Sequence, residues 1–311
     1  MHTTASPTLP PLAADMVEAA RIEAEFRARL PLPTTIEEER ALNRASAEHW
    51  VDGAPQMRES RELEVQGAVG PLRAQLHLPV ERPGGLLLWL HGGGWVVGGI
   101  EQTEPAARSL AAESGWAVLS STYRLAPEHR FPAALEDVLA VTRGLPELAR
   151  ASGVPEGRLA IGGASAGANL AAASVLAGGR VDACVLFYGV LGADLDTESY
   201  HRFDQAEFGL TRDGMARYFE LYLESGANRQ DPRVAPLRGD LAGFPRSFVA
   251  AASHDVLRDD SRGFAARLAA AGVETWYHEA QGLLHGYVNR TRSVAAARQA
   301  VAKAGRFLSA N

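Results

Sequence analysis

The sequence predicts an α/β fold: a mostly parallel, eight-stranded sheet with helices on both faces and a helical cap. Three observations predict it. Short apolar runs alternate with helix-like stretches over most of the chain, which argues for parallel strands covered on both faces. Glycine-rich segments follow directly on two of those runs, as tight turns at strand ends require. Helical material precedes the first strand, and a long strandless segment interrupts the alternation later on; both supply a cap.

The elements follow in order. Leu12, Met16, Ala19, Phe26 and Leu30 fall on one helical face, with Glu23 interrupting the stripe and Pro31 to Pro33 stopping it. Thr35 followed by Glu38 matches a capping box and predicts a second helix ending near Gly53. Residues 1–53 are therefore assigned to an N-terminal helical cap segment and residues 54–311 to the main α/β domain. Glu62 to Gln66 and Leu72 to Leu78 alternate polar and apolar residues around Gly70-Pro71, an antiparallel hairpin. Six apolar runs come next: Leu86 to Leu90, Ala117 to Ser121, Leu159 to Gly162, Ala183 to Tyr188, Ser247 to Ala252 and Val273 to His278. Helices are expected near 104–114, 132–151, 166–178, 259–271 and 291–309. Residues 191–240 lack a good strand, carry Phe203, Phe208, Tyr218, Phe219 and Tyr222, and fit a helix at 215–223. They read equally as core packing or as a second cap segment walling a substrate pocket.

The bulk numbers narrow the function classes. The chain has 311 residues, 46% hydrophobic and 22% charged, which is ordinary for a globular protein. A formal charge of -6, with no basic run, argues against nucleic acid as a partner. No stretch of eighteen or more apolar residues occurs, so no membrane span is expected. The start, Met-His-Thr-Thr-Ala-Ser-Pro, has no basic region followed by an apolar stretch. Together with a lone cysteine, Cys184, in an apolar run, this points to the cytoplasm. Cys184 reads as a small buried hydrophobe.

Gly163-Ala164-Ser165-Ala166-Gly167 fits G-x-S-x-G between an apolar run and a helix-like stretch. A nucleophile on so sharp a turn needs strained backbone angles and small neighbours. The helix start behind Ser165 favours developing negative charge. The run Leu86 to Leu90 leads into His91-Gly92-Gly93-Gly94-Trp95, where backbone N–H groups can approach a tetrahedral oxygen unobstructed. Gly93, Gly94 and Ala166 are the expected oxyanion donors. A phosphate-cradling reading fails, because Val97 stands at the last glycine position of G-x-G-x-x-G and no Gly-Lys-Ser/Thr follows. A nucleophile elbow of this kind is followed in the chain by an acid and then a histidine. Asp255 follows the run Ser247 to Ala252, and His285 sits in Gly282-Leu283-Leu284-His285-Gly286, expected as a loop after the last strand. His278 lies within that strand, His254 precedes the acid, and His201 lies in the expected cap. Ser165, Asp255 and His285 are thus the candidate nucleophile, orienting acid and general base. Trp95, Phe203, Phe208, Tyr218 and Phe219 are the candidate pocket walls.

On these residues the chain resembles the hormone-sensitive-lipase-like family of bacterial esterases, in the α/β-hydrolase superfamily. His91 to Trp95 looks like its oxyanion loop and Gly163 to Leu170 like its nucleophile elbow. Asp255-Val256-Leu257-Arg258-Asp259 and His285-Gly286 are similar to its acid and base motifs. Tyr123-Arg124-Leu125-Ala126-Pro127-Glu128-His129-Arg130-Phe131-Pro132-Ala133-Ala134 matches its characteristic block between the two catalytic motifs; we expect this block to be a scaffold for the loop and the elbow. The resemblance covers about residues 60–310. It implies hydrolysis of short- to medium-chain carboxylic esters, an α/β-hydrolase fold, a cap from the N-terminal helices plus an insertion after the sixth strand, and no cofactor. The oxyanion loop type implies tolerance of bulky alcohol groups. Ala164, Ala168 and Val256 depart from the family pattern.

The expected partner is a small-molecule ester, with a homodimer left open. Amide, lactone or thioester hydrolysis, or acyl transfer, would use the same three residues. The chain also resembles the plant gibberellin receptors, which bind without catalysis, but those lack the histidine that stands here as His285. No metal site is expected, since H-E-x-x-H and clustered Cys/His are missing.

Overall fold

The six apolar runs become six parallel strands, and the opening hairpin adds the antiparallel edge. The structure is a computed structural model and describes residues 9–155 and 158–310; the N-terminal heptapeptide read above lies outside them. The strands are β1 (Glu59–Gln66), β2 (Pro71–Leu78), β3 (Leu86–Leu90), β4 (Ala117–Ser121), β5 (Leu159–Ala164), β6 (Ala183–Phe187), β7 (Arg246–His254) and β8 (Thr275–Leu284). Their spatial order is β1-β2-β4-β3-β5-β6-β7-β8. β1 pairs antiparallel with β2 and β2 with β4, and all later pairs are parallel.

The helices are α1 (Ala14–Ala28), α2 (Ile36–Val51), α3 (Ile100–Ser114), α4 (Ala133–Ala151), α5 (Ala166–Leu176), α6 (Glu198–Phe203), α7 (Arg212–Tyr222), α8 (Arg258–Ala270) and α9 (Ala295–Ser309). Strand residues alternate between two cores, because successive side chains point to opposite faces. Leu86, Leu88 and Leu90 pack into one core with Val138 of α4, Leu170 of α5 and Phe264 of α8. Leu87 and Trp89 pack into the other with Leu110 of α3 and Phe307 of α9. Both faces being covered is why these strands read as unbroken apolar runs. Cys184 is fully buried there, and burial pushes its thiol pKa up.

β8 corrects one expectation. It runs on through Gly282, Leu283 and Leu284, so His285 stands directly at the strand end rather than within a loop. Gly282 has a φ of 72°, and the β7–β8 register shifts between Ala252 and His254. Ala13 N–H donates to the Gly282 carbonyl at 2.9 Å, so the start of α1 leans on the irregular stretch. The last helix also starts later than expected, after a 3-10 turn at Tyr287–Arg290.

Glu23, which spoiled the apolar stripe of α1, is the polar hub that docks the N-terminal helices. It accepts from Ser46 Oγ and Trp50 Nε1 of α2, from Arg27 of its own helix and from Arg290 Nη2 at 3.1 Å. The Arg290 guanidinium also lies 3.9 Å from the centre of the Trp50 ring. Burial opposes the Glu23 charge, but Arg290 and the hydrogen bonds outweigh it and hold the pKa at about 2. Burial likewise pulls Arg290 down to about 10. α2 begins with the predicted capping box, Glu38 N–H to Thr35 Oγ1 at 3.2 Å with the Glu38 carboxylate returning to Thr35 N–H.

Removing Glu23 leaves a largely buried guanidinium without its counter-ion. Glu23→Ala is therefore expected to cost on the order of 3 kcal/mol, read as a lower urea midpoint at pH 7. A carboxylate whose pKa is lowered on folding stabilises above its unfolded value and loses that contribution as pH falls through its folded value. The gap between wild type and variant should accordingly be full above about pH 4.5 and narrow towards about pH 2.

Candidate active site

The parallel strands end at one edge, and the sequence candidates converge there. β5 turns into α5 through a single residue, Ser165, at φ 57° and ψ −120°. That positive φ is costly for a residue with a side chain and is imposed from both sides. Ser165 N–H donates to the Phe187 carbonyl at 2.9 Å, and its own carbonyl accepts from Asn169 N–H at 3.1 Å. Asn169 is tied down by two bonds of its own, to the carbonyls of Val190 at 2.7 Å and Val234 at 2.8 Å. Gly167 lets the helix approach: a Cβ there would run into the carbonyl oxygens of Leu90 and His91.

His285 Nε2 lies 3.0 Å from Ser165 Oγ, and His285 Nδ1 lies 2.7 Å from Asp255 Oδ2. Asp255 is 1% exposed, and its second oxygen accepts from Leu257 N–H at 3.0 Å. The carboxylate therefore has both oxygens engaged and one orientation. The Tyr188 ring packs 4.7 Å from the imidazole, and Tyr188 Oη accepts from Val288 N–H at 3.3 Å. This side chain closes off one flank of the histidine. Such a chain can take a proton from the hydroxyl and stabilise the resulting imidazolium.

The three-glycine loop follows β3. Val96 and Val97 N–H both donate to the Gly93 carbonyl, which folds the loop back on itself. Among the described residues the N–H groups of Gly93, Gly94 and Ala166 have no hydrogen-bond partner. The first two lie in the loop, and the third is the first N–H of α5, which no helical carbonyl can reach. Gly94 has φ 59°, and a Cβ there would penetrate the Tyr218 ring. His91 is fully buried and stacks on Tyr123 at 4.2 Å; burial lowers its pKa to about 4, so it is neutral near pH 7.

The Tyr123 to Ala134 block braces the glycine loop. Tyr123 Oη donates to the His91 carbonyl at 2.9 Å, and Ala126 N–H donates to the Trp95 carbonyl at 2.9 Å. Phe131 N–H donates to the Tyr222 carbonyl at the end of α7 at 2.8 Å. Arg40 of α2 reaches the same block. It donates to the carbonyls of Val96 at 2.8 Å and Ala126 at 2.9 Å and forms a two-pronged pair with Glu128. Arg217 of α7 pairs with Glu39 of α2 at 2.7 Å. No local sequence pattern marked Arg40 or Glu39, and the block that contains Glu128 did not reveal its partner, because each acts across long stretches of chain.

A cavity of about 170 Å³ opens at Ser165 and His285, with Gly93 and Gly94 in its wall. Of the five aromatic residues expected to line it, only Tyr218 does so. Trp95 is fully buried and stacks on Tyr222 at 4.3 Å. Phe219 is fully buried against Trp95. Phe203 is buried, with Phe208 packed on it and on His254. These four hold the segment after β6 onto the core. The apolar lining is made instead by Leu210, Met215 and Tyr218, and the polar lining includes Asn43, Gln102 and Asn289.

His278, within the strand, has its Nδ1 3.0 Å from Lys303 Nζ. His201 faces Asp196 at the surface. Among the described residues no group of three or more His, Cys, Asp or Glu side chains gathers at metal-binding distance, and no helix is long and apolar enough to cross a membrane.

An eight-stranded sheet with this order, carrying a serine elbow, an acid and a histidine at its strand ends, defines an α/β-hydrolase. The model of a family described by its alpha/beta hydrolase fold matches residues 87–289. The chain is 36% identical over 227 residues to carboxylesterase NlhH of Mycobacterium tuberculosis, covering 70% of this chain and 71% of the relative. It is 34% identical over 250 residues to esterase LipI of the same organism, covering 77% and 78%. A hyperthermophilic esterase from the archaeon Pyrobaculum calidifontis matches with a TM-score of 0.89 at 29% identity, over 96% of this chain and 98% of that one. The chain belongs to the α/β-hydrolase-fold family, in its hormone-sensitive-lipase-like branch.

Gly94→Ala tests the loop. The new Cβ must displace Tyr218 or the loop itself, and kcat/KM on a short ester is expected to fall on the order of 10²-fold, the scale of one lost oxyanion donor. Unchanged circular dichroism would show that the fold survives.

Proposed function

We propose that this carboxylic ester hydrolase works through a covalent acyl-serine at Ser165 and takes esters with short to medium acyl chains. The observation that carries the reading is the continuous relay from Ser165 Oγ through His285 to Asp255, at 3.0 and 2.7 Å. As Ser165 Oγ attacks the ester carbonyl, its proton passes to His285 Nε2. Asp255 holds Nδ1–H and stabilises the imidazolium. The carbonyl oxygen, now negative, is met by the N–H groups of Gly93, Gly94 and Ala166. The C–O bond to the alcohol breaks as His285 returns the proton to the leaving oxygen. Water then attacks the acyl-serine with the same base, releasing the acid and restoring the hydroxyl.

Two segments act as the cap in this reading: residues 9–53, clamped through Glu23 and Arg40, and the stretch between β6 and β7 that presents Leu210, Met215 and Tyr218. The chain-length assignment rests on the cavity. At about 170 Å³ it falls below the usual range of sites for drug-sized ligands.

Ser165→Ala is expected to abolish ester hydrolysis by the purified protein while a fluorophosphonate labels the wild type at Ser165 alone, as read by peptide mass spectrometry. Activity retained by that variant refutes the acyl-serine. Across a series of p-nitrophenyl esters, kcat/KM should peak at short acyl chains and fall for long ones, once the cavity of about 170 Å³ is outgrown. A flat profile to long chains would refute the size assignment.

A further inference from the structure

The cavity at Ser165 does not end at its apolar wall. Asn43, Gln102, Gly286 and Asn289 line it, and the same four residues line a second recess of about 90 Å³ beneath the N-terminal helices. They are the shared partition between the two spaces. Asn43 comes from α2, Gln102 from α3, and Gly286 and Asn289 from the turn directly after His285. The far side of the recess carries Ser46, Arg27 and Arg290.

Its polarity is not consumed internally. The amide oxygens of Gln102 and Asn289 are buried, and neither has a hydrogen-bond partner among the described residues. Buried polar groups are ordinarily paired, and each exception calls for a reason. Asn43 uses its amide N–H on the Glu39 carbonyl at 2.9 Å, leaving its oxygen free to accept. Behind them two guanidinium groups, Arg27 and Arg290, share the single carboxylate of Glu23, so donors are in surplus. A purely hydrocarbon ester would bury these groups against nothing. A carboxylate would meet the guanidinium groups but set its own oxygens against the buried amide oxygens. A neutral hydroxyl suits both, since it donates to an amide oxygen and accepts from an N–H.

We infer that the recess bounded by Asn43, Gln102 and Asn289 is a polar subsite that selects esters bearing a neutral hydroxyl group to one side of the scissile bond. The inference rests on the acyl-serine reading for the place of the scissile carbonyl. A substrate hydroxyl supplies a hydrogen-bond partner to these groups on entry, whereas a methylene in its place leaves them unpaired. The apolar wall of Leu210, Met215 and Tyr218 then receives the other half of the ester.

The test compares matched esters by pH-stat titration. Ethyl butanoate is paired with ethylene glycol monobutanoate, which carries a hydroxyl on the alcohol side. It is also paired with ethyl β-hydroxybutanoate, which carries one on the acyl side. For the wild type, kcat/KM is expected to be about tenfold higher for the hydroxylated member of one pair, the scale of a neutral hydrogen bond kept rather than lost. Asn289→Leu and, separately, Asn43→Leu should bring that ratio close to one. Asn43 is only half-buried on α2, so this second variant keeps the measurement available if the first fails to fold. Equal kcat/KM within both pairs for the wild type overturns the subsite, as does a preference that survives in both variants. Failure of the acyl-serine would show in Ser165→Ala acting on ethyl butanoate itself, and not in these ratios.

Discussion

The backbone of Ser165 is held in a left-handed conformation, and the edge where the parallel strands end is organised around keeping it there. A serine released from that turn would relax towards ordinary helix or strand angles and carry its hydroxyl away from His285. Several restraints prevent this. The Phe187 carbonyl takes its N–H, Asn169 anchors the first turn of α5 by bonds to two distant carbonyls, and Gly167 allows the helix to close on the end of β3. The strain is local, and the core packed on both faces of the sheet pins the elements that impose it.

The same edge is braced from above. The block from Tyr123 to Ala134 touches the oxyanion loop through His91 and Trp95, the N-terminal helices through Glu128, and the segment after β6 through Phe131. These bonds reach the loop but not the elbow, the other half of its expected part as a scaffold, and they add a further part, as the common anchor of two segments far apart in the chain. Because the glycine loop has no regular structure of its own, its shape depends on what it leans against. Tyr123, Ala126 and Arg40 supply that support.

Much of this was legible in the sequence, and the reasons differ by element. β3 and β4 were readable to the residue, because strands buried on both faces are continuous apolar runs bounded by polar or glycine residues. β8 was read too short. It is an edge strand, its outer residues Trp276 and Tyr277 remain exposed, and Gln281 and Gly282 break the pattern before the strand ends. Ser165, Asp255 and His285 could be named because their chain order and strand-end positions follow from the fold. The pocket walls could not. Tyr218 and Phe219 are neighbours on one helix, a hundred degrees apart by helical geometry, so one faces the cavity and the other the core. Aromatic content cannot say which way a helix is rotated. Glu23 read as a flaw in an apolar stripe, since its partners Ser46, Trp50 and Arg290 lie elsewhere in the chain.

The attachment of the N-terminal helices has a consequence for how they would come loose. Their polar clamps are arginine–carboxylate forks: Glu23 with Arg290, Arg40 with Glu128 and Arg217 with Glu39. Glu23 and Glu128 give up their charge only near about 2, and Arg290 gives up its own only near about 10. Across the wide range between, acidity has little grip on the pairs made by Glu23 and Glu128. The two forks that reach the surface, at Glu128 and at Arg217, are instead open to the surrounding electrolyte, which weakens attraction between exposed charges over roughly a nanometre. Ionic strength is thus a solution variable that bears directly on how firmly the N-terminal helices cover this edge of the sheet.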